Sequence, residues 1–281
     1  MMVVAGYAAL RTGEWLRPRT TLLFPPSTLV LSVVPVGHGE AAWIRTPAGR
    51  FIVIGAGPAE GAPVLARDLR AAGADKIDLL VLPYPYADCV GGAPETIRKF
   101  PVVEAIENGW PRVNQRQEET RSALRATGAK VSVVRDGDSR VVDGVRLDVL
   151  APGAARVERS PAAGNNSVVV RASYGKTSFL FAGGIEAAGE AALLGRGPER
   201  LRSKWLRAPR FGTKDSASAE FLEAVGADDI VIAVGPNRSG VPDATVLRRI
   251  VSTGARPHRT DQSPNGLYFL SDGSTIRRAS E

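Results

Sequence analysis

From residue 28 onward the chain alternates short apolar runs with amphipathic stretches. Residues 28–35 (TLVLSVVP), 41–46 (AAWIRT) and 51–54 (FIVI) are β-prone runs separated by Gly turns, which predicts a three-stranded meander. Residues 61–72 place Val64, Leu65 and Leu69 on one side and stop at Gly73, which predicts a helix. A buried strand follows at 77–82 (IDLLVL), then a short helix at 94–100, a strand at 102–106, a polar-faced helix at 115–127 ending at Gly128, and a strand at 131–134. The second half repeats this order. Strands are predicted at 145–150, 167–172 and 177–181, the last two joined by a turn at Tyr174, Gly175 and Lys176. Helices at 186–194, 216–225 and 244–252 then alternate with strands at 205–208 and 229–234. His258 falls in a late strand, and strands at 266–270 and 274–277 close the chain. Two halves, each with strands first and then alternating helix and strand, predict two sheets packed face to face with helices outside, an α/β (α+β) architecture.

Composition narrows the chemistry. The 281 residues contain one cysteine and two histidines, so an intramolecular disulfide, a zinc finger and a His-rich binuclear zinc site are all excluded. The chain carries 36 Lys and Arg against 29 Asp and Glu, a formal net charge of +7, which favours acidic partners. Much of the excess lies between Arg196 and Asp215, where seven cations face Glu199 and Asp215. No apolar run reaches the length of a membrane span. Residues 1–10 are apolar, a basic flank follows, and Pro25 and Pro26 separate this arm (residues 1–27) from the body (28–281). The arm reads as a signal-peptide fragment, the end of a membrane helix or a docked first helix.

Six motifs in order carry a resemblance. They are Val36-Gly37-His38-Gly39-Glu40-Ala41-Ala42; Gly55-Ala56-Gly57-Pro58; Leu82-Pro83-Tyr84-Pro85-Tyr86-Ala87-Asp88-Cys89-Val90-Gly91-Gly92; Asn165-Asn166-Ser167 with the run from Thr177 to Glu186; Ala208-Pro209-Arg210-Phe211-Gly212-Thr213; and Val234-Gly235-Pro236-Asn237 with Gly240-Val241-Pro242. In this order the body resembles the metallo-β-lactamase fold, in particular the C-terminal soluble domain of ComEC-type competence proteins. The resemblance implies a four-layer αββα sandwich. It also implies a site at one edge of the sandwich, where His and Asp side chains hold one or two divalent metals that activate water.

Most of those ligand positions are changed here. Tyr84 and Tyr86 stand at the first ligand positions, Cys89 at the last His of that motif, and Gly184 at the bridging Asp. Arg210 and Phe211 replace a His pair, Val241 replaces the His before Pro242, and Gly55 replaces a supporting Asp. Asp88 alone keeps a ligand type. One carboxylate and one thiol cannot complete a shell of four, and a cationic Arg210 opposes a divalent ion. The expectation is a metal-free relative with no cofactor.

Each residue of the remnant pocket (Tyr84, Tyr86, Asp88, Cys89, Gly184, Arg210, Phe211) admits a plain reading beside the functional one. Asp88 is either a relic ligand or the partner of Arg210 or Lys214, the latter favoured by the loss of other ligands. Cys89 is either a reactive thiol or a buried inert one, and no His nearby in sequence activates it. Tyr84 and Tyr86 either stack on bases or, with Phe211, fill the volume left by imidazoles and metal. The Asn165-Asn166-Ser167 triplet is either a substrate hook or turn chemistry. Neither His38 nor His258 stands at a ligand position. Gly55-Ala56-Gly57 lacks the third Gly of a dinucleotide loop.

Three functions follow. The first is a non-catalytic domain that binds or guides single- or double-stranded DNA through Arg202, Lys204, Arg207, Arg210 and Lys214, beside a membrane channel domain upstream. The others are a divergent phosphodiesterase or nuclease, and a structural module without a polyanion partner. The resemblance also implies a bacterial, membrane-associated protein whose soluble domain is extracytoplasmic.

Overall fold

The computed structural model describes residues 24–25, 27–111, 115–160 and 162–279. Most of the predicted N-terminal arm therefore lies outside the described residues. The meander is β1 (Leu29–Val33), β2 (Ala41–Arg45) and β3 (Phe51–Ala56). It continues through α1 (Ala62–Ala71), β4 (Ile77–Leu82), α2 (Ala87–Val90), α3 (Ala93–Lys99), β5 (Val102–Glu107), α4 (Gln115–Ala126) and β6 (Lys130–Val133). The second half begins with β7 (Ser139–Val142), β8 (Val145–Ala151), α5 (Ala162–Asn165), β9 (Val169–Tyr174) and β10 (Thr177–Phe181). It ends with α6 (Ala187–Leu194), β11 (Trp205–Arg207), α7 (Ala219–Val225), β12 (Asp229–Ile232), α8 (Ala244–Ser252), β13 (Arg256–Arg259), β14 (Leu267–Ser271) and β15 (Ile276–Arg278).

Two sheets form, with strand orders β15-β14-β1-β2-β3-β4-β5-β6 and β13-β12-β11-β10-β9-β8-β7. Strands joined by tight turns pair antiparallel, and those joined through helices pair parallel, as crossover length requires. The final hairpin returns to the first sheet, where β14 lies antiparallel to β1. Three apolar clusters separate four layers. One lies between the sheets and includes Leu31, Ile44, Phe179, Phe181, Trp205 and Phe269. A second lies under α1, α3 and α4, and a third under α6, α7 and α8. This is the αββα sandwich of the metallo-β-lactamase type.

Local sequence explains the elements. In α1, Leu65 and Leu69 are buried four residues apart, and Gly73 follows at φ +91°, a conformation that costs a Cβ-bearing residue more. The Ser218 hydroxyl accepts the Phe221 N–H at the start of α7. One strand escaped the sequence pattern. β7 pairs with β8 across Asp143-Gly144, both at positive φ, which is a two-residue hairpin turn. Its residues are half-buried or exposed because it is an edge strand, so it shows no apolar run.

Asp68 of α1 ties the helix to the sheet beneath it. Its carboxylate accepts from Ser32 Oγ (3.1 Å), Trp43 Nε1 (2.7 Å) and the Tyr268 hydroxyl. Burial, then the charge of Asp68, raises the Tyr268 pKa above the ordinary tyrosine value. Asp68→Ala strands three donors in a largely dry layer and is expected to cost about 3 kcal/mol. A denaturant melt checks this, and a loss under about 0.5 kcal/mol would show that water replaces the carboxylate freely.

Candidate functional site

The site sits where the strand ends of both sheets meet at one edge. The β1–β2 loop brings His38 and Glu40. The segment after β4 brings Tyr84, Tyr86 and Asp88, the β10–α6 loop brings Gly184 and Glu186, and β11 with the loop after it brings Arg207, Arg210 and Phe211. Glu40 is fixed through its backbone: its N–H donates to Asp88 O (2.8 Å), and its carbonyl accepts from Gly57 N (2.8 Å). Gly55 stands at φ +69° with a built Cβ 2.3 Å from the Glu40 carbonyl oxygen, so no side chain fits there. The supporting Asp expected from the resemblance is excluded by this close approach.

Arg207 corrects the sequence reading. Placed among the DNA-binding cations, it is 2% exposed and cannot reach a phosphate. On β11 it shares the inward face with Trp205, and its NH1 lies 2.5 Å from Glu40 Oε1, whose side chain is equally buried. Burial works against the Arg207 charge, but Glu40 outweighs it and holds the guanidinium pKa above its ordinary value. The pair links a loop of the first sheet to a strand of the second. Neither residue was read from sequence as part of the remnant pocket. A single Arg within the apolar run Trp205-Leu206-Arg207-Ala208 was the available signal, since a charge in a buried strand requires a partner.

Aromatic volume closes the rest. Tyr84 is 1% exposed, and a Cβ built on Gly184 would meet its ring at 3.0 Å. The ring thus fills the space into which a residue at the bridging Asp position would project. Tyr86 packs edge-on against Tyr84 with centroids 5.6 Å apart, but it is only half-buried. Phe211 is buried and packs 4.3 Å from the His38 ring. Arg210 and Phe211 both take positive φ (45° and 58°), a left-handed pair that costs about 1–2 kcal/mol per residue. This turn lays the Arg210 guanidinium over the Tyr86 ring at 5.2 Å, with Nε 3.6 Å from Glu186 Oε1.

The expected pairing of Asp88 with Arg210 or Lys214 does not form as a contact ion pair. Arg210 meets Glu186 instead and acts on Asp88 from a distance. Burial, then the charge of Glu40, raises the Asp88 pKa to about 6, partly offset by Arg210 and the Tyr84 hydroxyl. Cys89 is fully buried, and burial followed by Glu40 pushes its thiol pKa well above the ordinary value, which makes it inert. His38 is lowered by burial and then by Arg210. Asn165-Asn166-Ser167 is scaffold: Asn165 Oδ1 accepts the Glu186 and Gly189 N–H groups, Asn166 holds residues 157 and 162, and Ser167 Oγ accepts the Gly184 N–H. His258 belongs to another group, with Nε2 2.8 Å from Asp229 Oδ1.

These residues do not fit a divalent metal. A guanidinium is buried against Glu40, a tyrosine ring fills the bridging position, and the thiol stays protonated. Among the described residues no group of three His, Cys, Asp or Glu side chains converges on a point. Tyr84 OH, Asp88 Oδ1, His38 Nδ1, Arg210 NH1, both Glu40 carboxylate oxygens and the Arg207 NH1 and NH2 groups are buried without a hydrogen-bond partner of ordinary geometry, so the pocket interior remains polar and the Glu40–Arg207 contact is an ion pair first.

The basic stretch from Arg196 to Lys214 is divided and largely neutralised. Arg196 and Arg200 both pair with Asp136, Lys204 with Asp228, Arg207 with Glu40 and Arg210 with Glu186. Arg202 and Lys204 precede β11, whereas Arg210 and Lys214 follow it, so the strand carries the two groups to opposite ends of the sheet.

Two predictions follow from this geometry. Arg207→Ala or Glu40→Ala leaves a buried charge alone and is expected to cost about 3–5 kcal/mol, while Glu40→Leu with Arg207→Met recovers most of it. Denaturant melts of all three variants check this, and single-variant losses under about 1 kcal/mol would contradict it. The second concerns pH. The folded protein holds the Asp88 proton more tightly than the unfolded chain does, so stability falls as pH rises from about 4 to about 6. Asp88→Asn is expected to remove about 1–2 kcal/mol of that decline, read as the difference between the two pH–stability curves. Identical curves would show that Asp88 titrates normally.

Comparisons with known proteins agree with the fold. No family model matches the chain. Competence protein ComA of Neisseria gonorrhoeae is 28% identical over 291 aligned positions, covering 97% of this chain. The chain spans 39% of that relative's length. The metallo-β-lactamase fold protein YhfI from Bacillus subtilis superposes with a TM-score of 0.58 at 10% identity, covering 87% of this chain and 100% of that one. A metal-dependent hydrolase of the β-lactamase superfamily gives 0.55 at 10% identity, covering 85% and 98%. CmlA, a diiron β-hydroxylase from Streptomyces venezuelae, gives 0.54 at 12% identity, covering 84% and 53%. Strand order, layer arrangement and these likenesses together identify the chain as a metallo-β-lactamase-fold protein that resembles the soluble domain of ComEC-type competence proteins.

Proposed function

We propose that this chain is a non-catalytic, metal-free domain that serves DNA uptake in a bacterium by holding the DNA backbone without sequence preference. The observation that carries the non-catalytic part is the buried Glu40–Arg207 pair, together with the Tyr84 ring that fills the space over Gly184. Metal-assisted hydrolysis needs an open position on a bound ion and a water at that position. Here a buried cation and an aromatic ring stand where ligands would converge. The DNA part draws support from similarity to a competence protein and from the net charge of +7. Because the chain spans 39% of that relative, a channel domain and a membrane setting belong to the same proposal. Among the described residues, no helix is long and apolar enough to cross a membrane.

A second reading, a structural module with no polyanion partner, is favoured by one observation: five of the seven cations between Arg196 and Lys214 are paired with carboxylates. A single experiment separates the readings. Labelled single- and double-stranded DNA is titrated at several salt concentrations, then incubated with about 1 mM manganese or zinc. Binding that weakens linearly in log salt, with no cleavage, is the expected result. Cleavage that depends on the metal would restore the nuclease reading. Absence of binding at about 50 mM salt would leave the structural module.

A further inference from the structure

We infer that nucleic-acid phosphates are met on the open outer face of the second sheet, around Arg146, Arg171, Arg202 and Lys204, and not at the remnant pocket. This rests on the DNA-binding reading above and assigns it a surface. The outer face of that sheet is only partly covered. The apolar cluster under α6, α7 and α8 takes in Leu206 of β11, Leu180 of β10, Val169 of β9 and, on β8, only the last two residues, Leu150 and Ala151. Beyond it the same face carries Arg171 and Ser173 of β9, Arg146 and Asp148 of β8, and Val141 of the edge strand β7. Arg146 and Val141 are exposed, and Arg171, Ser173 and Asp148 are half-buried. An antiparallel sheet with one solvated face accounts for this alternation.

Register places the polar groups in a band. Arg146 faces Ser173 across β8–β9, Ser173 faces Ser178 across β9–β10, and the Lys204 N–H donates to the Ser178 carbonyl at 3.1 Å. Lys204 lies on the outer face because its neighbour Trp205 points inward. At about 4.8 Å per strand, Arg146 and Lys204 stand roughly 14 Å apart across the band. Arg171 joins the rows, donating Nε to the Arg202 carbonyl and NH1 to Ser173 Oγ, each at 2.9 Å. Four cations therefore share the band with two carboxylates, Asp148 and Asp228. Among the described residues neither Arg171 nor Arg202 has a carboxylate within ion-pair distance.

The remnant-pocket end is a poorer anion surface. Its loops carry Arg156, Arg159, Arg210, Lys214 and Arg238, but Glu60, Asp88, Glu158, Glu186, Asp215 and Asp243 are interleaved with them. The outer band presents Arg, Lys and Ser donors on a sheet face without bulky aromatic groups, which suits backbone contact without base reading. A nucleic-acid strand is the occupant chosen, because charge complementarity on an open face is the recognition available there.

The test compares the protein with Arg171→Gln/Arg202→Gln and with Lys214→Gln/Arg238→Gln. Each binds labelled oligothymidylate at salt concentrations from about 50 to 200 mM. The outer-band variant is expected to lower the slope of log affinity against log salt by about 1.4, at roughly 0.7 per phosphate on a single strand, and the other variant to leave it unchanged. Arg202→Gln alone, at a side chain with no hydrogen bond to lose among the described residues, is expected to lower it by about 0.7 and guards against misfolding of the double variant. Binding that responds only to the Lys214 and Arg238 changes would overturn the surface and leave the DNA reading standing. No binding by the unaltered protein would overturn both. Binding to phosphatidylglycerol vesicles but not to the oligonucleotide would overturn the assignment to nucleic acid.

Discussion

A glutamate and an arginine, each buried, hold the two sheets together at the edge where the resemblance places the metal site. Glu40 belongs to the loop between the first two strands, and Arg207 ends β11, an interior strand of the other sheet. Their attraction must exceed the cost of taking both charges out of water, which it does only while the pair stays intact and well placed. Much of the local structure serves that placement. The Glu40 backbone is clamped by Asp88 and Gly57, Gly55 yields space to its carbonyl, and the buried Tyr84 ring packs over Gly184. The raised Asp88 pKa and the inert Cys89 thiol follow from the same cause, burial beside the Glu40 charge.

On the proposed function, the residues at the family's ligand positions form one coordinated replacement. Removing the bridging Asp without filling its space would leave a polar hole, and interiors do not keep such holes empty. Here Gly184 leaves the room, Tyr84 takes it, and Phe211 packs with His38 along the rim. Arg210 is held over Tyr86 by two consecutive left-handed residues, a costly arrangement that persists because the surrounding loops fix it.

The sandwich was legible because its strands are apolar runs and its helices carry one apolar face. The hairpin strand at Ser139–Val142 was not, because an edge strand that buries little shows no such run. Its Asp143-Gly144 turn was the only local sign. In the site, position alone located Tyr84, Asp88, Cys89, Gly184 and Arg210. Sequence could not supply partners, however, and so Arg207 was read as surface charge while Glu40 was noted only as part of the first motif. Charge counts along the chain also misled. The basic stretch straddles β11, and a strand sends its two flanks to opposite ends of the sheet. What matters for a polyanion is which cations share a face and lack carboxylates, and register decides that.

Metal-linked stability tests the replacement of the metal centre most directly. Any ion bound by the folded chain alone raises the unfolding midpoint, and a micromolar site at about 1 mM metal would raise it by roughly 10 °C. Thermal unfolding followed with zinc, with manganese and with chelator is expected to give one midpoint in all three conditions. A rise that saturates with metal, reverses with chelator and disappears in Asp88→Asn would show that the buried Glu40–Arg207 pair leaves room for a working metal centre.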